Sequence, residues 1–251
     1  IPDIKIIDFL SGIFKMFNLT AFVEDDGTIK VQTLDSFYES GVSRNITDFV
    51  DIDQSEINNS LPFKEIDFRY QGRKSFFADT HEKIFNLEWG TETINFSDVT
   101  QDGSVYKIEL PFEHHKFQRL LDLNDTSGDT STDIQFGWSV NIDQSPFVGK
   151  PLLFYPVRIT SGTPIQLKNF SGNVDIATST YIVPSNTLTL ATSSQSIHFS
   201  TELSEYTNET VLNNLFSEYY KTYISDVFDS KNRLTRVTAY LPAKILLNLS
   251  L

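Results

Sequence analysis

The chain has 251 residues, no cysteine, and a formal net charge of -13 from 20 Lys plus Arg against 33 Asp plus Glu. Such an acidic balance repels a phosphate backbone and argues against nucleic-acid binding, while the lack of cysteine excludes disulfides, thiolate zinc sites and a cysteine nucleophile. No run approaches the roughly 18 apolar residues that a membrane helix requires.

The length fits one large or two modest domains with a sizeable core. With 21 Phe and 10 Tyr but one Met, that core is expected to be aromatic and built largely on strands. In chain order, Ile4, Ile7, Leu10, Phe14 and Phe17 recur at steps of three and four. This spacing predicts an amphipathic helix, capped by Asp3 and ended by Asn18. Leu19, Ala21 and Val23 then alternate with Thr20, Phe22 and Glu24, and Asp25-Asp26-Gly27 supplies a turn, so a β-hairpin follows at once. A three-residue loop with Gly27 in the left-handed conformation pairs Val23 with Ile29 and Ala21 with Val31. A two-residue loop would instead set Glu24 against Ile29.

After Leu61-Pro62, the alternation of Ile66, Phe68 and Tyr70 with Glu65, Asp67 and Arg69 predicts a half-buried strand. Further alternating runs are Tyr106-Ile108-Leu110-Phe112, Ile134-Phe136-Trp138-Val140-Ile142 and Leu153-Tyr155-Val157-Ile159. The polar stretch from Asn124 to Asp133 reads as an exposed loop, and Ser161 to Ser196 as strands with small polar turns. Leu212, Leu215, Phe216, Tyr219, Tyr220, Tyr223 and Val227 predict a long helix over about 209–227 with Asn208 as its cap. Asp229 to Asn232 breaks it, and Arg233 to Leu241 returns as a strand before Leu241-Pro242. The expected class is mainly β with a few helices (α+β). A β-barrel or sandwich domain occupies 1–85, an inserted β-sandwich 86–199, and 200–251 returns to the first domain. An opening on Ile1-Pro2 and a close in the apolar stretch Ile245 to Leu251 read as a segment of a longer polypeptide or a processed product.

A search for chemistry begins with His81, His114, His115 and His198, the residues whose charge changes nearest neutral pH. Glu113-His114-His115 looks metal-binding, yet neighbours on a strand point to opposite faces, so the two rings cannot share an ion; all four histidines are expected at the surface. Phosphate-loop, dinucleotide, nucleophile-elbow and His-Glu-x-x-His motifs are missing, and no glycosidase carboxylate pair can be picked out of 33 acidic residues. Asp122, Asn124, Thr126 and Asp133 fall at positions one, three, five and twelve of a calcium-loop pattern. Ser127 stands where that loop needs glycine, Gly128 comes one place late and Asp133 replaces the bidentate Glu, so a solvated loop is expected there. Eight Asn-x-Ser/Thr triplets, at Asn18, Asn45, Asn58, Asn95, Asn124, Asn169, Asn208 and Asn248, reflect a composition rich in Ser, Thr and Asn. Trp138 is expected in the core; Trp89, beside Gly90, is the candidate platform for stacking a sugar. No catalytic, cofactor-binding or metal residue is assigned.

Asp8-Phe9-Leu10 leading through Phe17-Asn18-Leu19 to Asp26-Gly27-Thr28-Ile29, the segment Asn45 to Asp51, Leu215-Phe216-Ser217-Glu218-Tyr219-Tyr220, Arg233-Leu234 and Leu241 to Ile245 together resemble tail hub proteins of long-tailed bacteriophages. The resemblance covers about 100 residues at the two ends and leaves 86–199 without a likeness. It implies a homotrimer in the virion tail or baseplate, whose β-barrel domains form a ring between tail tube and spike. It also implies no active site and no cofactor, with genomic DNA passing unbound through an acidic lumen. The alternative is a carbohydrate-binding or adhesive surface module on 86–199, and a glycoside hydrolase is a third, weaker reading.

Overall fold

The computed structural model describes residues 3–59, 63–73, 75–96, 104–119, 135–136, 149–168, 175–189, 191, 193–203, 209–228 and 232–246. It is a mixed α+β fold made mostly of strands. Helix α1 (Ile6–Met16) leads into the hairpin β1 (Leu19–Val23) and β2 (Ile29–Thr33), followed by α2 (Leu34–Glu39) and a single 3₁₀ turn at Thr47–Phe49. Strands β3 (Val50–Asn59) and β4 (Phe63–Gly72), helix α3 (Phe76–Phe85), and strands β5 (Glu92–Asn95) and β6 (Ser104–Glu113) come next. Short β7 (Gln118–Arg119) and β8 (Gln135–Phe136) precede the long pair β9 (Tyr155–Lys168) and β10 (Asp175–Ser185). The chain finishes with β11 (Glu202–Leu203), β12 (Thr210–Val211), α4 (Leu215–Tyr219), α5 (Lys221–Phe228), β13 (Arg233–Ala239) and α6 (Ala243–Leu246).

The hairpin register is the expected one: Ala21 faces Val31 and Val23 faces Ile29. Glu24 N–H donates to Thr28 O, Gly27 N–H to Glu24 O, and Gly27 sits at φ +83°, so the loop is three residues long. Asn18 does end the helix region, at φ +47° with its Nδ2 donating to Tyr219 O at 2.8 Å. Asp3 is not the cap, however; Lys5 occupies that position with no side-chain cap bond. The buried stripe of α1 is also rotated from the expected one. Gly12 and Met16 are buried and Phe9, Ile13 and Phe17 pack on the core, whereas Ile7 and Leu10 are exposed. The helix is apolar nearly all round, so close approach decides which side turns inward. A Cβ on Gly12 would lie 2.7 Å from the Phe112 ring, and only glycine lets α1 settle onto β6 at that point.

Strand β4 is central, with β5 antiparallel on one side and β6 parallel on the other. Ile66, Phe68 and Tyr70 of β4 and Ile108, Leu110 and Phe112 of β6 form the core with Met16, Phe199, Leu215, Tyr220, Ile224 and Phe228. The expected half-buried β4 is buried further than alternation indicates. Asp67, on the opposite face, is 2% exposed and paired with Arg69, and Glu88 bridges Arg69 and Arg73. No break in the sheet coincides with residue 86, because β5 and β6 hydrogen-bond directly to β4. The helix expected over 209–227 is interrupted. Its first part is β12 and a connector, Asn214 rather than Asn208 is the cap, and Tyr220 separates α4 from α5. Asn214 and Ser217 form a reciprocal capping box that starts α4 about six residues later than apolar spacing alone predicts.

Strands β9 and β10 pair with a register shift and carry a small second cluster, Val157 and Val183. Strand β13 returns to pair with β3. Among the described residues the sheets have two or three strands and none closes into a barrel. The run Ile134 to Ile142 lies outside the described residues except for β8, and Trp138 lies outside them as well.

Candidate interaction surfaces and a buried histidine pair

Cross-strand pairing makes the two faces of the β1–β2 hairpin chemically distinct. Phe22 sits opposite Lys30 on one face, and its ring lies 5.4 Å from that of Phe37 on α2, which covers that side. The other face carries Ala21, Val23, Ile29 and Val31, and Val23, Ile29 and Val31 are 66%, 69% and 48% exposed. Four aliphatic side chains in two adjacent pairs thus form a dry surface that nothing in this chain covers among the described residues. Single exposed apolar residues are ordinary, but a contiguous set on one sheet face marks an interaction site.

The ribbon formed by β3 and β13 repeats the pattern. Ile57 and Val237 share one face, Leu234 lies on the other, and Ile52 projects from the register shift between Val237 and Thr238. All four are exposed among the charged side chains of Asp51, Asp53, Glu56, Arg233 and Arg236, of which Arg236 and Glu56 form a weak surface pair at 3.7 Å. Helix α3 adds exposed Phe76, Ile84 and Phe85. Between α1, β6 and α5 lies an apolar cleft of about 400 Å³ lined by Phe14, Phe63, Tyr106, Tyr220, Tyr223 and Phe228. Among the described residues, more large apolar side chains are exposed than buried.

Polar groups show the inverse placement. His114 and His198, expected at the surface, are completely buried, and His114 Nε2 lies 2.8 Å from His198 Nδ1. One nitrogen donates and the other accepts, a contact that requires at least one neutral ring, and His114 Nδ1 is buried without a hydrogen-bond partner. Tyr70 stacks on His114 with centroids 4.2 Å apart and planes 11° from parallel, and its hydroxyl donates to Ile197 O at 2.5 Å. Trp89 meets His198 edge to face at 4.7 Å, and Lys116 Nζ stands 4.1 Å over the Trp89 ring. Burial pushes the His114 imidazole down to about 3 and His198 well below its ordinary range, with His115 adding to the first shift and His114, Lys116 and His81 to the second. His115 is half-buried and His81 partly buried, both lowered by desolvation. Adjacent His114 and His115 do diverge, as strand geometry requires: His115 approaches Phe117 while His114 meets His198.

Trp89 is 2% exposed, so it offers no platform to a sugar. Its burial follows from Gly90, which holds φ +72° and whose position has no room for a Cβ, since one would lie 2.6 Å from the His114 ring. Among the described residues, no three His, Cys, Asp or Glu side chains converge on a metal-sized site. The candidate calcium loop Asp122 to Asp133 and glycan positions Asn124, Asn169, Asn208 and Asn248 lie outside the described residues. No family model, curated protein or solved structure matches the chain. The surfaces and the histidine pair must therefore speak for themselves. The hairpin face was partly legible, since Ala21, Val23, Ile29 and Val31 share a phase in the sequence; that α2 would cover the opposite face was not. The histidine pair carries no local signal at all, because its members are 84 positions apart.

Proposed function

We propose that this chain is a structural subunit that works through protein–protein interfaces, and that a phage tail hub-like protein, trimeric and sited between tail tube and spike, is its most specific form. The observation that carries the reading is the bare aliphatic face of the β1–β2 hairpin, supported by the uncovered β3–β13 ribbon. The hairpin face, which carries no charged side chain or proline, is costly to leave in water, and such a face is covered by a neighbouring chain in an assembly. Acidic net charge is compatible with DNA sliding past such a ring without adhering. No helix among the described residues is long and apolar enough to cross a membrane. The adhesive-module alternative loses its aromatic platform with the burial of Trp89.

Native mass spectrometry tests the proposal. A homotrimer is expected, and Val31→Glu, which places a carboxylate in the middle of the bare face, is expected to dissociate it while far-ultraviolet circular dichroism stays unchanged. A wild-type monomer at micromolar concentration would overturn the trimeric reading. A trimer indifferent to Val31→Glu would remove the hairpin from the interface.

A further inference from the structure

The segment that carries His198 lies across the end of the main sheet and is held by single bonds rather than by ladders. Ile197 N–H donates to Asn186 O, Ser196 N–H to Asn213 O, and Phe199 N–H to Gly90 O at 3.1 Å. Leu215 N–H donates to His198 O, and the two-residue pairing of β11 with β12 closes the far side. Side chains also hold the segment: Phe199 packs on Phe68, the Tyr70 hydroxyl binds Ile197 O and His198 binds His114, while Gln195 Nε2 donates to the Tyr219 hydroxyl, Asn213 Nδ2 to Ser193 O and Asn214 Nδ2 to Thr201 Oγ1. His114 is itself anchored where β4 and β6 end, through its N–H to Gly72 O at 2.8 Å. The histidine bond thus joins a weakly laddered strap to the most rigid part of the molecule.

We propose that the His114–His198 pair is an acid-released latch, which holds residues 193–203 on the core at neutral pH and frees them in mild acid ahead of the central sheet. Across the contact one facing nitrogen donates and the other accepts. A second proton on the pair turns both facing nitrogens into donors 2.8 Å apart, and the first already places a cation where solvent cannot reach it. The surroundings add little that would welcome such a cation. From β4 comes the uncharged Tyr70, from α3 comes His81, and beyond β6 come His115 and the ammonium of Lys116. Two carboxylates stand near: Glu113 adjoins His114 and accepts from Lys150 N–H, while Glu202 accepts from Ser200 and faces Lys116. Opening moves His198 into water, where both imidazoles regain an ordinary value of about 6.5 and bind protons.

Linkage fixes the size of the effect. Two rings that titrate near 6.5 when open and stay neutral when closed multiply the opening constant by about 70 between pH 7 and pH 5.5; one such ring multiplies it by about 8. Hydrogen exchange of the whole chain read by mass spectrometry, with intrinsic rates corrected for pH, measures this directly. Peptides within 193–203 are expected to lose about 70-fold of protection between the two conditions and to stay less protected than peptides within Phe63–Gly72 at both pH values. Equal protection at both pH values would overturn the latch, and so would protection in 193–203 equal to that of β4 at pH 5.5, which signals that the segment opens only by global unfolding. The His198→Gln chain, where it folds, is expected to retain only the about eightfold response of a single ring; a full response in that variant also overturns the proposal. Neither result depends on oligomeric state, so the latch stands or falls separately from the assembly role.

Discussion

Replacing Gly90 by alanine tests the packing of the buried pair, because two separate costs fall on one position and a second glycine isolates one of them. Gly90 holds φ +72°, a left-handed conformation that costs an L-residue about 1–2 kcal/mol, and its added Cβ would lie 2.6 Å from His114 Cδ2 and Nε2 and 3.3 Å from His198 Nδ1. Gly27 holds φ +83° with nothing within 4 Å, so Gly27→Ala bears the backbone cost alone. At Gly90 the His114 ring has nowhere to go, since Tyr70 stacks on it and His198 holds its Nε2. The methyl therefore either displaces the backbone or pushes the rings apart, adding about 2 kcal/mol through overpacking or a lost buried hydrogen bond. Urea unfolding at matched protein concentration is expected to show Gly90→Ala less stable than Gly27→Ala by about 2 kcal/mol, or about 4–8 °C in Tm for a chain of this size. Equal losses within about 0.5 kcal/mol would refute the tight contact between Gly90 and the histidines.

Three further outcomes follow from the same geometry. Tyr70→Phe removes the donor to Ile197 O, leaves that carbonyl buried and unpaired, and should cost about 1–3 kcal/mol in the same unfolding assay. Asn214→Ala deletes the side chain that accepts from Ser217 N–H at the start of α4, with an expected loss of about 1 kcal/mol and reduced helical ellipticity. Global stability should also fall with acid. The folded imidazoles of His114 and His198 titrate below the unfolded value near 6.5, so the unfolded chain binds more protons as pH falls. Stability is then full above about 6.5 and declines toward the His114 value of about 3. Between pH 7 and 5.5 two such rings remove about 2.5 kcal/mol. Half-buried Glu202 and Glu92, raised by desolvation, act in the opposite direction, and a flat urea midpoint across that window would contradict the assignment.

What the sequence made legible was local. The hairpin register followed from a single choice of loop length, because a one-residue slip would have turned every apolar residue of β1 and β2 to the other face. The runs at Ile66 to Tyr70 and Tyr106 to Phe112 announced strands, but alternation has no direction, and the parallel pairing of β4 with β6 is invisible in it. Spacing also misled where apolar residues were too many. On α1 the rows through Ile7 and Leu10 and through Phe9 and Ile13 were equally good cores, and Gly12 decided between them by admitting Phe112. In the run from Leu212 to Val227 the apolar pattern was continuous across what became β12, a capped turn and two helices, since capping by Asn214 and the bond from the Tyr220 hydroxyl to Lys15 O override periodicity.

The largest departure from expectation has one physical root. Partition by polarity places histidines outside and aliphatic residues inside, and this chain reverses both at definite places. His114 and His198 lie in the core joined by one hydrogen bond, a contact that depends on residues far apart in sequence and on a glycine that leaves room for them. Val23, Ile29 and Val31 lie outside because a two-stranded hairpin has two faces and α2 covers only one. The first reversal is closed within the chain and specifies how the strap meets the sheet; replacing both rings with apolar residues of similar shape would cost little stability yet abolish its pH dependence. The second reversal is left open among the described residues, and covering that face would release the free energy of burying its aliphatic side chains. The bare aliphatic pairs of the hairpin, rather than the buried histidines, are therefore what the proposed assembly role rests on.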